Sequence, residues 1–403
     1  MKRILIFSLA YYPKHVGGAE VAIKEITDRL DPTEYEFHLI CNRYDSTLPN
    51  SERVGNVMVH RIGLVTKNPT MADLRKFPLH LNKVLYQFLA FNEAKKLHEQ
   101  YTFDAVWAMM AHATGVPAAK FKRAFPEVPY ALTLQEGDPP EYIEAKMRWF
   151  KRNFEAAFVT ADIIQVISNF LGAWAKRKGF QDEPVLIPNA VTTKHFSQTY
   201  DEAELSATKA ALHKRTNDTF LVTTSRLVPK NAVDDVIRAL VRLPENVHFI
   251  IFGTGPEETQ LRKLAGELRV SHRVQFKGQL EHSDMPKYLK ACDIFIRPSR
   301  SEGMGNSFVE AMAAKLPVIA TQEGGIADFL FDEKRNPGKP TTGWAVSKDN
   351  PEEIAVAVKD IMSRPEKVDA VTQTAYDMVV AEYDWDKIAA DMRNKVFDQL
   401  VSH

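Results

Sequence analysis

Cysteine is almost absent: the 403 residues contain two, Cys41 and Cys292, far apart and each in an apolar stretch. A disulfide framework is excluded, and both read as reduced core residues of a cytoplasmic protein. Net charge is absent as well, since Lys plus Arg and Asp plus Glu both number 52. No field gathers nucleic acid around such a chain. No uninterrupted apolar run is long enough to span a bilayer. The opening residues Met1-Lys2-Arg3-Ile4-Leu5-Ile6-Phe7 mimic a signal peptide, but the run is short and passes into Tyr11-Tyr12-Pro13 without a small-residue cleavage site, so it reads as a buried first strand. There is no convincing cluster of metal ligands. Gly253-Thr254-Gly255-Pro256 lacks the third glycine of a dinucleotide fingerprint, which counts against a nicotinamide oxidoreductase.

What is there is a repeated alternation. Short apolar runs at 4–9, 37–41, 57–62, 105–109, 130–134 and 163–167 are separated by helical patterns such as 80–98 and 142–158. Strands alternating with helices predict a parallel α/β sheet. The pattern restarts with a strand at 220–224 and continues through a helix at 233–242, a strand at 247–252, a helix at 256–268 and a strand at 273–277. The chain is too long for one compact core. The expected division is a first domain over 1–187, a linker over 188–196 at the turn-rich Pro188-Asn189-Ala190-Val191, a second domain over 197–383, and a last helix over 384–403.

The most informative stretch runs from Pro298 to Asp328. Cys292 to Ile296 suits one buried strand and Val318 to Thr321 another. Between them Ser307, with Glu310 three residues on, has the spacing of a capping box and predicts a helix start. A strand that ends in a Gly-containing loop and opens a helix aims free N–H groups and a positive dipole end at one point, which suits an anion. Gly303 and Gly305 keep side chains away from it. Glu302 and Glu310 flank that bare surface and are better suited to hydroxyls, so a ligand with phosphate and polyol parts fits.

The two glutamates with seven residues between them, the Pro298-Ser299 before them, Glu310-Ala311-Met312, Leu316-Pro317-Val318-Ile319 and the Gly324-Gly325 pair together resemble the donor-binding signature of the retaining glycosyltransferases of family 4. The resemblance implies the GT-B fold, two Rossmann-like doubly wound parallel-sheet domains facing across a cleft, with the last helix crossing back onto the first domain. It implies that Glu302 contacts the hydroxyls of a donor sugar and Glu310 the nucleotide ribose. On spacing alone, Glu310 would only complete its own helix cap and Glu302 would be a solvated loop residue. The donor-binding set extends to Gly303, Met304, Gly305, Asn306 and Ser307. The expected activity moves a sugar from a nucleoside diphosphate to a hydroxyl acceptor, with retention and with neither a cofactor nor an essential metal.

Ser225-Arg226-Leu227-Val228-Pro229-Lys230-Asn231 places two cations between a strand and a helix, where they could neutralise a leaving diphosphate. The family pattern has an arginine here and a lysine five residues later. In this chain Lys230 stands four residues after Arg226, and Asn231 occupies the family's lysine place. Either Lys230 reaches in through a shifted loop or Arg226 acts largely alone. Gly17-Gly18-Ala19-Glu20 resembles the family's loop near the donor phosphate, although a plain strand-to-helix turn explains it too. By the same resemblance Gly253 lies near the base, and His112 lies near the donor sugar and the reacting carbon. Gln135 stands where many members carry a histidine. Nearby, Glu136 and Asp138 are candidates for an acceptor hydroxyl, against a turn set by Gly137 and the prolines. Asp384-Trp385-Asp386 looks like the metal-binding pair of another glycosyltransferase fold, but Asp384 suits an N-cap and Asp386 the first turn of a helix.

Lys146, Arg148, Lys151 and Arg152 beside Trp149, Phe150 and Phe154, with Lys120-Phe121-Lys122-Arg123, add support for a lipid-linked acceptor and peripheral contact with the inner membrane surface. Glu141, Glu144 and Glu155 dilute that charge, and a solvated helix face is the alternative. A sugar-nucleotide epimerase of the same fold and a nonenzymatic nucleotide-sugar-binding protein remain as rival readings.

Overall fold

The computed structural model describes residues 1–14, 16–70 and 72–401, so residues 402 and 403 of the expected last helix lie outside the described residues. The chain divides into two units, Met1–Asn189 with Trp385–His403, and Ala190–Asp384.

The first unit is built on an eight-stranded sheet: β1 (Lys2–Phe7), β2 (Tyr35–Asp45), β3 (Ser51–Val54), β4 (Val57–Thr66), β5 (Ala105–Met109), β6 (Tyr130–Leu134), β7 (Ile163–Val166) and β8 (Val185–Leu186). The order across the sheet is β3-β4-β2-β1-β5-β6-β7-β8. All pairs are parallel except β3 with β4. Ile4 to Phe7 are fully buried because a parallel strand is covered on both faces, which is why its sequence is a continuous apolar run. The polar Ser51-Glu52-Arg53-Val54 carries no such signal, and the hairpin it makes was not expected.

The segment after Asp384 forms helices Trp385–Met392 and Asp398–Val401 joined by a wider turn over 393–397. Its buried residues Trp385, Ile388 and Met392 recur at helical spacing. Phe397 lies 5.1 Å from the ring of Trp107 and 6.0 Å from that of Phe37, and Lys2 pairs with Asp398 at 2.6 Å. This segment is therefore part of the first unit's core.

The second unit has six parallel strands: β9 (Thr219–Thr224), β10 (Val247–Phe252), β11 (Val274–Gly278), β12 (Ile294–Arg297), β13 (Val318–Ala320) and β14 (Trp344–Ala345), in the order β11-β10-β9-β12-β13-β14. Val236, Ile237 and Leu240 from helix Val233–Leu240 join Ile354, Val358 and Ile361 from helix Pro351–Ser363 in the core over the sheet. Residues 190–196, read as linker, are built into this unit. Phe196 is fully buried, the Val191 N–H donates to the Tyr383 carbonyl at 2.9 Å, and Thr193 bonds to the Asp384 carboxylate through its N–H and hydroxyl. A turn-rich sequence does not imply a free segment when its apolar residues have a core to enter.

Both sheets reverse direction of winding at one point, between β1 and β5 in the first and between β9 and β12 in the second. At such a point the loops after adjacent strands part and leave a crevice at the carboxyl ends. Gly17-Gly18 and His112 follow β1 and β5. The Arg226–Lys230 loop and the Glu302–Gly305 loop follow β9 and β12.

Candidate active site

In the second unit the polypeptide brings one cluster together around Arg297, the last residue of β12. Its guanidinium is buried, 3.0 Å through Nη2 from Glu302 Oε1, and donates through Nη1 to Ser307 Oγ at 2.7 Å. The Phe308 ring lies 4.2 Å from its Cζ. Burial pushes the Arg297 pKa down, while Glu302 and Glu310 hold it up and Arg226 opposes them. These four groups are thus within electrostatic reach of one another. Lys230 Nζ stands 3.9 Å from Glu302 Oε2, so the carboxylate, 8 % exposed, sits between two cations.

The capping-box expectation for Ser307 is corrected here. Helix Asn306–Ala313 begins two residues earlier than that box implies, its N-cap is Gly305 with φ +90°, and no side chain caps it. Ser307 lies inside the first turn, where its hydroxyl is taken by Arg297. A methyl group on Gly305 would come 2.7 Å from Arg297 Nη2 and meet the Phe308 ring, so both the left-handed backbone and the space demand glycine. The helix start is left with amides that no side chain caps. Met304 is buried, whereas Asn306 is partly exposed. The Gly325 N–H donates to the Glu302 carbonyl at 3.1 Å, which ties the Gly324-Gly325 pair to the loop it supports.

Asn231 resolves the offset between Arg226 and Lys230. Its side-chain amide donates to the Arg226 carbonyl at 2.7 Å and is buried, so it holds the loop while Lys230 reaches Glu302. The loop is further pinned by Arg300, whose N–H donates to the Lys230 carbonyl at 2.7 Å and whose guanidinium meets Asp234, Asp235 and Asp349. Arg226 is exposed and makes no ion pair with the described residues. Glu310 is half-buried, with His282 Nε2 3.5 Å from its Oε1. Gly253 has φ +145° and an N–H that donates to the Gly278 carbonyl at 2.7 Å. A side chain there would overlap the Ser225 carbonyl, so this glycine lets two backbones meet.

In the first unit, the loop after β5 is held in a strained form, with Met110 at φ +76°, a conformation that functional loops often store. The Thr114 hydroxyl donates to the Met109 carbonyl at 2.6 Å. His112 is partly exposed, with Nδ1 3.8 Å from Glu136 Oε1. Glu136, expected to meet an acceptor hydroxyl, is 2 % exposed and accepts the Ala111 N–H at 2.7 Å. It sits behind the histidine loop instead of at the surface, because the main chain there offers it an amide. Asp138 is exposed, within electrostatic reach of Lys83. Gly17 and Gly18 are exposed at the start of helix Gly18–Thr27. The Gly17 amide is already committed to Glu20 Oε2 at 2.7 Å, so of this pair only Gly18 has an amide not bonded to that carboxylate.

Sequence reasoning missed Arg297. One arginine closing the apolar run Ile294-Phe295-Ile296 was the available signal, since arginine is almost never fully buried without a partner.

Two family profiles match the chain, "Glycosyl transferase 4-like domain" over residues 17–190 and "Glycosyl transferases group 1" over residues 206–378, together spanning most of it. An uncharacterized glycosyltransferase of Methanocaldococcus jannaschii is 24 % identical over 391 residues, covering 97 % of this chain and 96 % of that one. Alpha-monoglucosyldiacylglycerol synthase of Acholeplasma laidlawii is 23 % identical, covering 82 % and 83 %. Among solved structures, sucrose-phosphate synthase of Thermosynechococcus elongatus aligns over 100 % of both chains with TM-score 0.80 at 19 % identity. Anabaena HepE in complex with UDP-glucose aligns over 99 % of this chain and 100 % of that one, with TM-score 0.73 at 18 % identity. The chain belongs to the GT-B glycosyltransferases of the family 4 type, and it is an enzyme of the transferase class.

Proposed function

We propose that this enzyme transfers a sugar from a nucleoside diphosphate sugar to a hydroxyl-bearing acceptor, lipid-linked or soluble, with retention of anomeric configuration, without an essential metal, on the cytoplasmic side of the cell. One observation carries the reading: Arg226, Lys230, Glu302 and Glu310 lie around a single buried arginine at the sheet's switch point, beside an uncapped helix start. That arrangement offers cations and amides to a diphosphate and carboxylates to hydroxyls. As the bond from sugar to diphosphate breaks, negative charge grows on the leaving group, and Arg226, Lys230 and the amides at Asn306 would stabilise it where it develops. Glu302, held by Arg297, orients the sugar, and Glu310 takes the ribose hydroxyls. His112 would hydrogen-bond a sugar hydroxyl or the developing charge.

The test is donor binding and turnover of Glu310→Ala against a panel of nucleotide sugars, with transfer followed by mass spectrometry in the presence and absence of EDTA. Hydrogen bonds to a charged group contribute about 1.5–3 kcal/mol, so donor affinity should fall by about 10- to 100-fold. Wild-type affinity and turnover in this variant would remove the ribose assignment. Loss of transfer in EDTA would remove the metal-independent reading.

A further inference from the structure

Helix Asn82–Tyr101 is apolar on the side that faces the core and, over its N-terminal part, also on the side that does not. Tyr86, Ala90 and Ala94 are buried, while Leu81, Val84 and Phe88, spaced at one helical face, are exposed. Phe77 precedes them at 80 % exposure. A second element carries the same anomaly: in helix Pro140–Met147 and the turn Arg148–Phe150, Tyr142 and Phe150 are exposed and Trp149 is 80 % exposed. Phe77, Phe88, Tyr142, Trp149 and Phe150 are the large exposed aromatic side chains among the described residues. All belong to the first unit.

Cations accompany these rings. Lys120 Nζ lies 4.5 Å from the Phe88 ring, Lys146 Nζ 3.9 Å from the Tyr142 ring and Arg148 Cζ 4.9 Å from the Trp149 ring. Lys83 is close enough to Lys146 and Arg75 for both to lower its pKa after burial has done so, with Tyr142 and Asp138 opposing. This proximity joins the two helices into one neighbourhood. None of Arg75, Lys83, Lys120, Lys146 and Arg148 makes an ion pair with a described carboxylate.

The rings stand exposed and these cations make no close ion pair, while Asp138 tempers the charge at Lys83 and Glu141 and Glu144 share the second segment; exposed rings flanked by cations mark an interaction surface. We infer that this face of the first unit, formed by helix Asn82–Tyr101 and the segment Pro140–Phe150 with the cations set beside their rings, docks on an anionic lipid surface. Headgroup phosphates would meet the lysines and arginines while the rings enter the interfacial layer, where aromatic side chains with an apolar body settle. An acidic protein groove would satisfy the charges, but the scattered single rings offer it no pocket-filling anchor. No helix among the described residues is long and apolar enough to cross a membrane, so this attachment is by contact alone.

The experiment uses the whole chain without sugar nucleotide, so its outcome is independent of the transfer reaction. Binding is read by co-sedimentation with phosphatidylcholine vesicles containing or lacking phosphatidylglycerol, and by tryptophan fluorescence. Trp149 is exposed whereas Trp107, Trp174, Trp344 and Trp385 are buried, so a blue shift on vesicle binding reports Trp149 and should vanish in Trp149→Phe. Lys83→Glu with Lys146→Glu should weaken binding by roughly fivefold or more per cation reversed, with higher salt acting the same way. Phe77→Ser with Trp149→Ser should weaken it while circular dichroism stays unchanged. The proposal fails if phosphatidylglycerol vesicles do not bind, or if the charge-reversal variant binds as the parent does. It also fails if inorganic phosphate binds where vesicles do not. Lipid-free self-association that Trp149→Ser abolishes would assign the face to a second copy instead.

Discussion

Replacing Arg297 by methionine isolates the interaction on which the Glu302–Gly305 loop is assembled. The variant keeps a long apolar side chain at the end of β12 but removes the 3.0 Å contact to Glu302, the 2.7 Å bond to Ser307 and the cation against Phe308. Glu302 is buried, and its remaining cation, Lys230, is 3.9 Å away. Breaking one side of a buried pair leaves a desolvated charge and costs about 3–5 kcal/mol. With about 2–4 °C lost per kcal/mol in a unit of this size, thermal unfolding by far-ultraviolet circular dichroism should move down by at least about 6 °C. The decisive measurement is the double variant Arg297→Met with Glu302→Gln. It removes both charges and should recover about 2 kcal/mol of the loss, since charges that sit together couple by up to about 3 kcal/mol. An Arg297→Met protein that unfolds with the parent refutes the reasoning. So does a double variant whose loss equals the sum of the two single ones.

Asp235 has its pKa raised to about 6, first by burial and next by Asp234, with Arg300 acting against them. The folded state therefore holds its proton more tightly than the unfolded chain, and this group's contribution is fully present below about pH 4 and is lost as pH rises through about 6. Asp235→Asn should match the parent in thermal stability near pH 4 and exceed it by about 1–3 kcal/mol at pH 7. A stability difference that does not widen between those pH values would show that the raised pKa is not felt. Gly253→Ala places a methyl against the Ser225 carbonyl at φ +145°, and at least about 2 kcal/mol of stability should be lost. Donor affinity should fall with it, as the strain is delivered to the Arg226 loop. Unchanged melting and unchanged nucleotide binding would refute that account.

The strands were legible because a parallel strand buried on both faces has no polar side to interrupt it, as Ile4-Leu5-Ile6-Phe7 illustrates. The hairpin strand Ser51–Val54 was not, because it lies at the sheet edge and is polar. Ser307 misled for a different reason. The pattern of serine with glutamate three residues on was present, but an arginine remote in the pattern had claimed the hydroxyl, and the backbone of Gly305 could open the helix unaided. The choice between Lys230 and Asn231 depends on side-chain direction, which spacing does not encode: Asn231 turns to the Arg226 carbonyl and Lys230 to the buried Glu302. Glu136 shows the same limit, since a carboxylate after a strand reads alike whether it faces solvent or the Ala111 amide.

The assignment of Trp385 onward to the first unit has a consequence for synthesis. When the ribosome has made the sheet strands through β8, the rings of Phe37 and Trp107 still await Phe397. They stay without that cover while the whole of Ala190–Asp384 is translated. Half-made chains therefore carry bare aromatic surface for roughly 10 s or more at elongation rates of about 5–20 residues per second, an interval in which aggregation or a chaperone can intervene. The part that emerges first is the part that is finished last.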